Sequence, residues 1–183
     1  MFGYDMIVAD PPWSFENWSS KGEGRNPKTH YDCLPTDVIA ALPVNQLARR
    51  DCLLWMWATH PMLPEALRVM EAWGFRFKTS GVWVKRTVGG KLGFGTGYVL
   101  RSASEPFLIG SVGNPSTAKT VRTAIEGQLR ENSRKPDEAY AAAEKLMPHA
   151  FRADLFSREH RPGWTSWGME AGKFNDKTER NAA

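Results

Sequence analysis

The sequence predicts an α/β fold built on a mostly parallel, doubly wound sheet with helices on both faces. Short apolar runs of strand length alternate with stretches of helical periodicity along the chain. The first run, Met6-Ile7-Val8-Ala9, leads straight into Asp10-Pro11-Pro12-Trp13. That cluster falls at the carboxyl end of a strand, where open α/β sheets bind ligands. At 183 residues the chain is long enough for one domain with a full core. Residues 1–172 are read as that single domain, and 173–183 as a polar, disordered tail.

The elements follow in order. Asp5 to Ala9 reads as a short buried strand. Residues 14–35, rich in Ser, Gly, Asn, Lys and Pro, read as a long loop, expected to form a lid because it follows Asp10-Pro11-Pro12-Trp13 directly. Thr36 to Leu42 opens on a capping residue and reads as a helix. Cys52 to Ala58 is a second strand, Pro64 to Trp73 an amphipathic helix ended by Gly74, and Thr79 to Val84 a third strand. A Gly-rich loop spans Gly89 to Tyr98, and Glu105 to Ile109 is a fourth strand. A basic connection leads to a helix from Pro136 to Met147, with Asp137 and Glu138 at the positive end of its dipole. Phe151 to Phe156 is a fifth strand.

The formal net charge is +4 and the pI about 9.2, a mild preference for an anionic partner. Its distribution says more. Between Ala72 and Ser104 lie six basic residues, Arg76, Lys78, Lys85, Arg86, Lys91 and Arg101, and no Asp or Glu. From Lys119 to Lys135 there are five more against Glu126 and Glu131. These are either solvated faces or a phosphate-contacting surface. Cys33 and Cys52 form no Cys-x-x-Cys and suggest two plain thiols in a reducing cytoplasm. His30, His60, His149 and His160 lack zinc-ligand spacing, so no metal is expected. No apolar stretch is long enough to span a bilayer, and no signal peptide is apparent, so no membrane partner and a cytoplasmic location are expected.

The Gly-rich loop lacks the spacing of a Walker A loop and of a dinucleotide fingerprint. It is either a flexible turn or a second lid with Tyr98 and Arg101 facing a nucleic acid. Asp10-Pro11-Pro12-Trp13 carries more chemistry. Two prolines fix φ and remove N–H groups. They hold a carboxylate, a bare carbonyl and an aromatic face together, a set suited to an amino-bearing planar base. The plain alternative is a strand ending in a tight Pro turn with an incidental Trp.

A series of segments carries a resemblance. Asp10-Pro11-Pro12-Trp13 comes first, followed by Gly93-Phe94-Gly95-Thr96-Gly97-Tyr98 with Arg101 and Glu105. Ser133-Arg134-Lys135-Pro136-Asp137-Glu138, Phe156-Ser157-Arg158 and Arg161-Pro162-Gly163-Trp164 leading to Trp167-Gly168 complete it. The series resembles the adenine N6-methyltransferase family that contains the mRNA adenosine methyltransferase subunits and bacterial and phage DNA enzymes. Its order is the circularly permuted β-class one, and it covers roughly residues 5 to 170.

The resemblance implies a Rossmann-like fold and methyl transfer from S-adenosyl-L-methionine to the exocyclic amine of adenine. It makes Asp10, Pro11, Pro12 and Trp13 catalytic, with Trp13 stacking on the base. Asp10 also falls on the cofactor side. Lys135 would pair with the methionine carboxylate, and Arg158 would reach the ribose or the carboxylate, with His160 beside it. Gly168, Met169 and Glu170 fall where the family has Gly-Asn-Glu or Gly-Asn-Gln. A thioether at Met169 cannot donate the Asn hydrogen bonds, whereas Glu170 can accept from ribose hydroxyls. Trp13, Tyr98, Arg101, Lys85, Arg86 and Lys91 form the expected nucleic-acid surface. Family members carry a cofactor-holding segment before the strand that leads into Asp10-Pro11-Pro12-Trp13, and this chain starts nine residues before Asp10, so that contribution is expected to be short or absent. About two dozen residues between the fourth strand and the helix at Pro136 leave no separate target-recognition domain. Recognition then rests on the two loops and segment 119–135, alone or in a homodimer or heterodimer. DNA is expected ahead of RNA, in a bacterial or phage-infected cell. The competing reading is a catalytically silent, nucleic-acid-binding partner subunit.

Overall fold

The structure, a computed structural model, describes residues 3–14, 33–97, 99–131 and 134–175. Seven strands form one sheet: β1 Tyr4–Ala9, β2 Ala48–Trp57, β3 Arg76–Arg86, β4 Ser104–Val112, β5 Ala124–Gln128, β6 Arg152–Leu155 and β7 Trp164–Trp167. Their order across the sheet is β5-β3-β4-β2-β1-β6-β7. β1 runs parallel to β2 and β6, β6 to β7, and β3 to β5, while β4 is antiparallel to both β2 and β3. Six strands therefore point one way and β4 alone points back, giving the mostly parallel Rossmann-like sheet the sequence predicts. Helices α1 Thr36–Ala40 and α2 Leu63–Ala72 lie between β1 and β3 in the chain, and α3 Asp137–Leu146 between β5 and β6.

Strand periodicity sorts the core into two layers. From β1, Ile7 and Ala9 join Leu54 and Met56 of β2 under Ile39 of α1 and Ala66, Val69 and Met70 of α2. Met6 and Val8 face the other way, with Leu53, Trp55 and Trp57, and pack against Ala139 and Ala143 of α3. Helices thus cover both faces. Trp73 anchors the first layer, its indole N–H donating to the Ile39 carbonyl at 2.9 Å.

The sequence reading missed two strands and drew others too short: β3 runs Arg76–Arg86 rather than Thr79 to Val84, and β4 Ser104–Val112 rather than Glu105 to Ile109. The basic connection 119–135 contains β5, an edge strand with only Ile125 and Gly127 turned inward. Gly127 takes the indole N–H of Trp83 on its carbonyl at 2.9 Å, which pins the strand. β7, Trp164-Thr165-Ser166-Trp167, closes the opposite edge and was not expected, because its polar centre masks the pairing with β6. β2 begins at Ala48 rather than Cys52, since its exposed start Arg49-Arg50-Asp51 is extended without being buried. The greater part of the expected first lid, Tyr98, Ser133 and the tail after Asn175 lie outside the described residues.

Candidate active site

The carboxyl end of β1 is tied down from both sides. The Asp10 N–H donates to the Leu155 carbonyl at the end of β6, 3.2 Å away. The Trp13 N–H donates back to the Pro11 carbonyl at 2.8 Å, closing a three-residue turn. Leu34 N–H donates to Pro12 O at 2.9 Å and forms an isolated bridge with Trp13. The Pro11 oxygen keeps one of its two lone pairs beyond the turn bond. Trp13 departs from expectation. Its ring is 4% exposed and packs in the core layer with Ile39, Met56 and Ala58, while its indole N–H donates to Trp57 O at 3.0 Å. The ring expected to stack on a base is a bolt that fastens the Pro turn to the end of β2.

Asp10 heads a chain of alternating charges. Its Oδ2 is 2.6 Å from the Lys135 ammonium, which also contacts Glu105 Oε1 at 3.0 Å. Glu105 Oε2 in turn is 2.7 Å from Lys85 Nζ. Lys135 and Glu105 are buried, with side chains 4% and 9% exposed, while the Asp10 side chain keeps 31%. The Lys135 ammonium also sits 5.5 Å from the Trp57 ring centroid. Topology brings the four together: Asp10 follows β1, Lys85 nears the end of β3, Glu105 opens the reversed β4, and Lys135 precedes α3.

Burial raises the Asp10 carboxyl above its ordinary value, and the Lys135 charge acts against that rise. Burial alone would raise Glu105 too, but Lys135 and Lys85 outweigh it and hold that carboxyl below its usual range. Burial would lower Lys135, yet the carboxylates of Asp10 and Glu105 raise it instead. The expected partner of Lys135 was a cofactor carboxylate; within the fold it bridges two protein carboxylates. Glu105, quoted above only as a motif residue, belongs to the site. An acid opening an apolar strand, Glu105-Pro106-Phe107-Leu108-Ile109, was the available signal.

A second group gathers at the ends of β1 and β6. Asp10, Arg134, Lys135, Tyr140, Asp154, Phe156, Ser157, Arg158, Glu159 and Phe174 line a cleft whose cavity is about 20 Å³. Asp154 is buried and accepts from the Tyr140 hydroxyl at 3.0 Å. Burial pushes its carboxyl up to about 7. An acid inside the apolar strand Ala153-Asp154-Leu155 was again the unread signal. Phe156 follows at φ 61°, a left-handed conformation that costs a bulky side chain and is held here by Ser157 N–H donating to Trp167 O at 2.9 Å. Gly168 allows that approach: a Cβ there would lie 2.4 Å from the Ser157 carbonyl oxygen.

Among the cofactor candidates, Arg158 and Glu170 are brought together at 3.0 Å. Met169 is 91% exposed and does not line the cleft. His160 is exposed as well, its N–H donating to Asn175 Oδ1 at 2.9 Å, and its ring lies against Gly172. The cleft's mixture of carboxylates and cations suits a zwitterionic, positively charged cofactor such as S-adenosylmethionine. Its volume admits about one water. The Arg134 guanidinium lies 5.2 Å from the Phe174 ring centroid and is bonded to Glu159.

The expected nucleic-acid residues divide. Arg86 is engaged by Glu126 at 3.1 Å and Lys85 by Glu105. Lys91 and Arg101 lie exposed on the extension between β3 and β4, where Arg101 sits 5.4 Å from the centroid of Phe94, itself 77% exposed.

The fold is of the Rossmann-like class that S-adenosylmethionine-dependent methyltransferases share. The family model described as MT-A70 matches residues 4–170, and the chain belongs to this N6-adenine methyltransferase family. Members generally use S-adenosylmethionine. The chain is 31% identical to the N(6)-adenosine-methyltransferase MT-A70-like protein of Arabidopsis thaliana over 91% of its own length and 24% of the relative's. It is 28% identical to the type II methyltransferase M.MunI of Mycoplasma sp, over 91% of this chain and 77% of that one. It is 30% identical to the human N(6)-adenine-specific methyltransferase METTL4, over 93% of this chain and 38% of that one. The chain thus spans about a quarter of the plant relative and most of M.MunI. No helix among the described residues is long and apolar enough to cross a membrane.

Proposed function

We propose that this chain is an S-adenosylmethionine-dependent methyltransferase that modifies the N6 amine of adenine in DNA. The observation that carries the reading is the Asp10 carboxylate, fixed by the Pro turn with Oδ2 on Lys135 and with Oδ1 unpartnered among the described residues. The adenine amine is a poor nucleophile because its lone pair is delocalised into the ring. Asp10 Oδ1 and the Pro11 carbonyl accept its two hydrogens, which biases the nitrogen toward sp³ and frees the lone pair. Positioning and electrostatics supply most of the rate.

Bound S-adenosylmethionine supplies an activated methyl group on a sulfonium sulfur. Asp10 and Asp154 suit its positive groups, and Arg134 and Arg158 its carboxylate, while Arg158 and Glu170 already form one unit beside the cleft. On the target side, Lys91 and Arg101 offer charge to phosphates and Phe94 offers a ring face to a base. The test is transfer of labelled methyl from S-adenosylmethionine to unmethylated DNA and to RNA in parallel, with Asp10→Ala as control. Label on DNA that vanishes in the variant is the expected result. Label on RNA alone moves the substrate, and no label on either, with DNA binding retained, leaves a silent partner subunit.

A further inference from the structure

We propose that Lys85 is a positioning residue for methyl transfer, acting through Glu105 and Lys135 on Asp10, and not a phosphate contact. The proposal rests on the methyltransferase reading above. Lys85 lies near the carboxyl end of β3, where the register sets Trp83 opposite Glu105. Its backbone N–H donates to Ala103 O at 2.9 Å, and its ammonium sits 4.9 Å from the Trp83 ring centroid. That places Nζ 2.7 Å from Glu105 Oε2, while Lys135 takes Oε1 at 3.0 Å. Each oxygen of this buried carboxylate therefore serves one lysine.

The division of labour decides where Lys135 sits. With Lys85 present, Glu105 is neutralised from its outer side, and Lys135 can also hold Asp10 Oδ2 at 2.6 Å. Without Lys85, a buried carboxylate keeps a single cation, and in a poorly screened setting its attraction for that cation grows. Lys135 is then drawn toward Glu105 and away from Asp10, loosening the acceptor that must face the amine. The neighbouring basic residues are placed otherwise: Arg86 pairs with Glu126, whose side chain is 63% exposed, and Lys91 and Arg101 are exposed.

Lys85→Gln and Lys85→Arg, with Glu105→Gln and the Lys85→Gln/Glu105→Gln pair, separate the two roles. Labelled S-adenosylmethionine and an unmethylated DNA duplex are the probes, and the salt dependence of duplex binding is measured alongside. A positioning role predicts that Lys85→Gln lowers kcat between about 10- and 100-fold with KM unchanged. Lys85→Arg recovers most of kcat, and Lys85→Gln adds little once Glu105→Gln is present. The slope of log Kd against log salt stays at the wild-type value. A slope lower by about 0.9 with KM raised and kcat kept makes Lys85 a phosphate contact and overturns the proposal. If the wild-type protein transfers no methyl to DNA or RNA, the enzyme reading falls. The salt slope then reads Lys85 separately: a reduced slope makes it a phosphate contact, and an unchanged one leaves only its structural pairing with Glu105, either of which overturns the positioning role.

Discussion

Lys135 and Asp10, 125 residues apart in the chain, meet at 2.6 Å at the carboxyl end of β1. The contact joins the segment before α3 to the turn after β1 and gives a half-open carboxylate a buried cation. Replacing Lys135 by Met keeps the length of the side chain and leaves two carboxylates without their shared partner. The expected outcome is a loss of about 3–5 kcal/mol in denaturant unfolding. Asp10→Asn, which leaves Glu105 to hold Lys135, is expected to keep the fold and to lower kcat by about 10²–10³.

The indole of Trp13 fastens the Pro turn to Trp57. Trp13→Phe removes that N–H together with part of a buried ring system and is expected to cost about 1–3 kcal/mol of stability, read by denaturant unfolding. Affinity for single-stranded DNA should not change. A loss of DNA affinity with stability intact would return Trp13 to the stacking role read from the sequence.

What the sequence could and could not convey follows from distance along the chain. β1 was legible because Met6-Ile7-Val8-Ala9 is apolar on both faces and breaks at two prolines, so Asp10 could be placed without a structure. Lys135 was named from the sequence as a candidate, but its pairing with Asp10 and Glu105 was not. The pairing with Glu105 depends on β4 running backward through the sheet, which no local pattern announces. The direction of the Trp13 ring was hidden for the same reason, since its acceptor lies on β2. β5 escaped because one inward apolar side chain, Ile125, leaves no run to read.

Asp154 makes stability depend on pH in a direction opposite to most paired carboxylates. Its folded-state value, pushed up to about 7 by burial, lies above the ordinary 3.8, so the folded protein holds the proton longer than the unfolded chain. Its contribution is present below about pH 4 and is lost as pH rises to about 7. Asp154→Asn carries no such penalty. The Tm of the variant minus that of wild type is expected to grow between pH 4 and 7 and to level off above. A difference that stays flat over this range would remove Asp154 as the source.

The exposed cations on the extension between β3 and β4 are expected to act on affinity and not on chemistry. Lys91→Ala and Arg101→Ala should each weaken duplex binding at every sequence and lower the salt slope by about 0.9. Both should leave kcat at saturating DNA unchanged, as steady-state kinetics over a salt series would show.

The most direct measurement is the chemical identity of the product. Unmethylated DNA incubated with the protein and methyl-labelled S-adenosylmethionine is digested to nucleosides and separated, with Asp10→Ala alongside. Label co-migrating with N6-methyldeoxyadenosine, absent from the variant, is the predicted result. Label on cytosine, or label on adenine that persists without the Asp10 carboxylate, would contradict an acceptor built from Asp10 and Pro11.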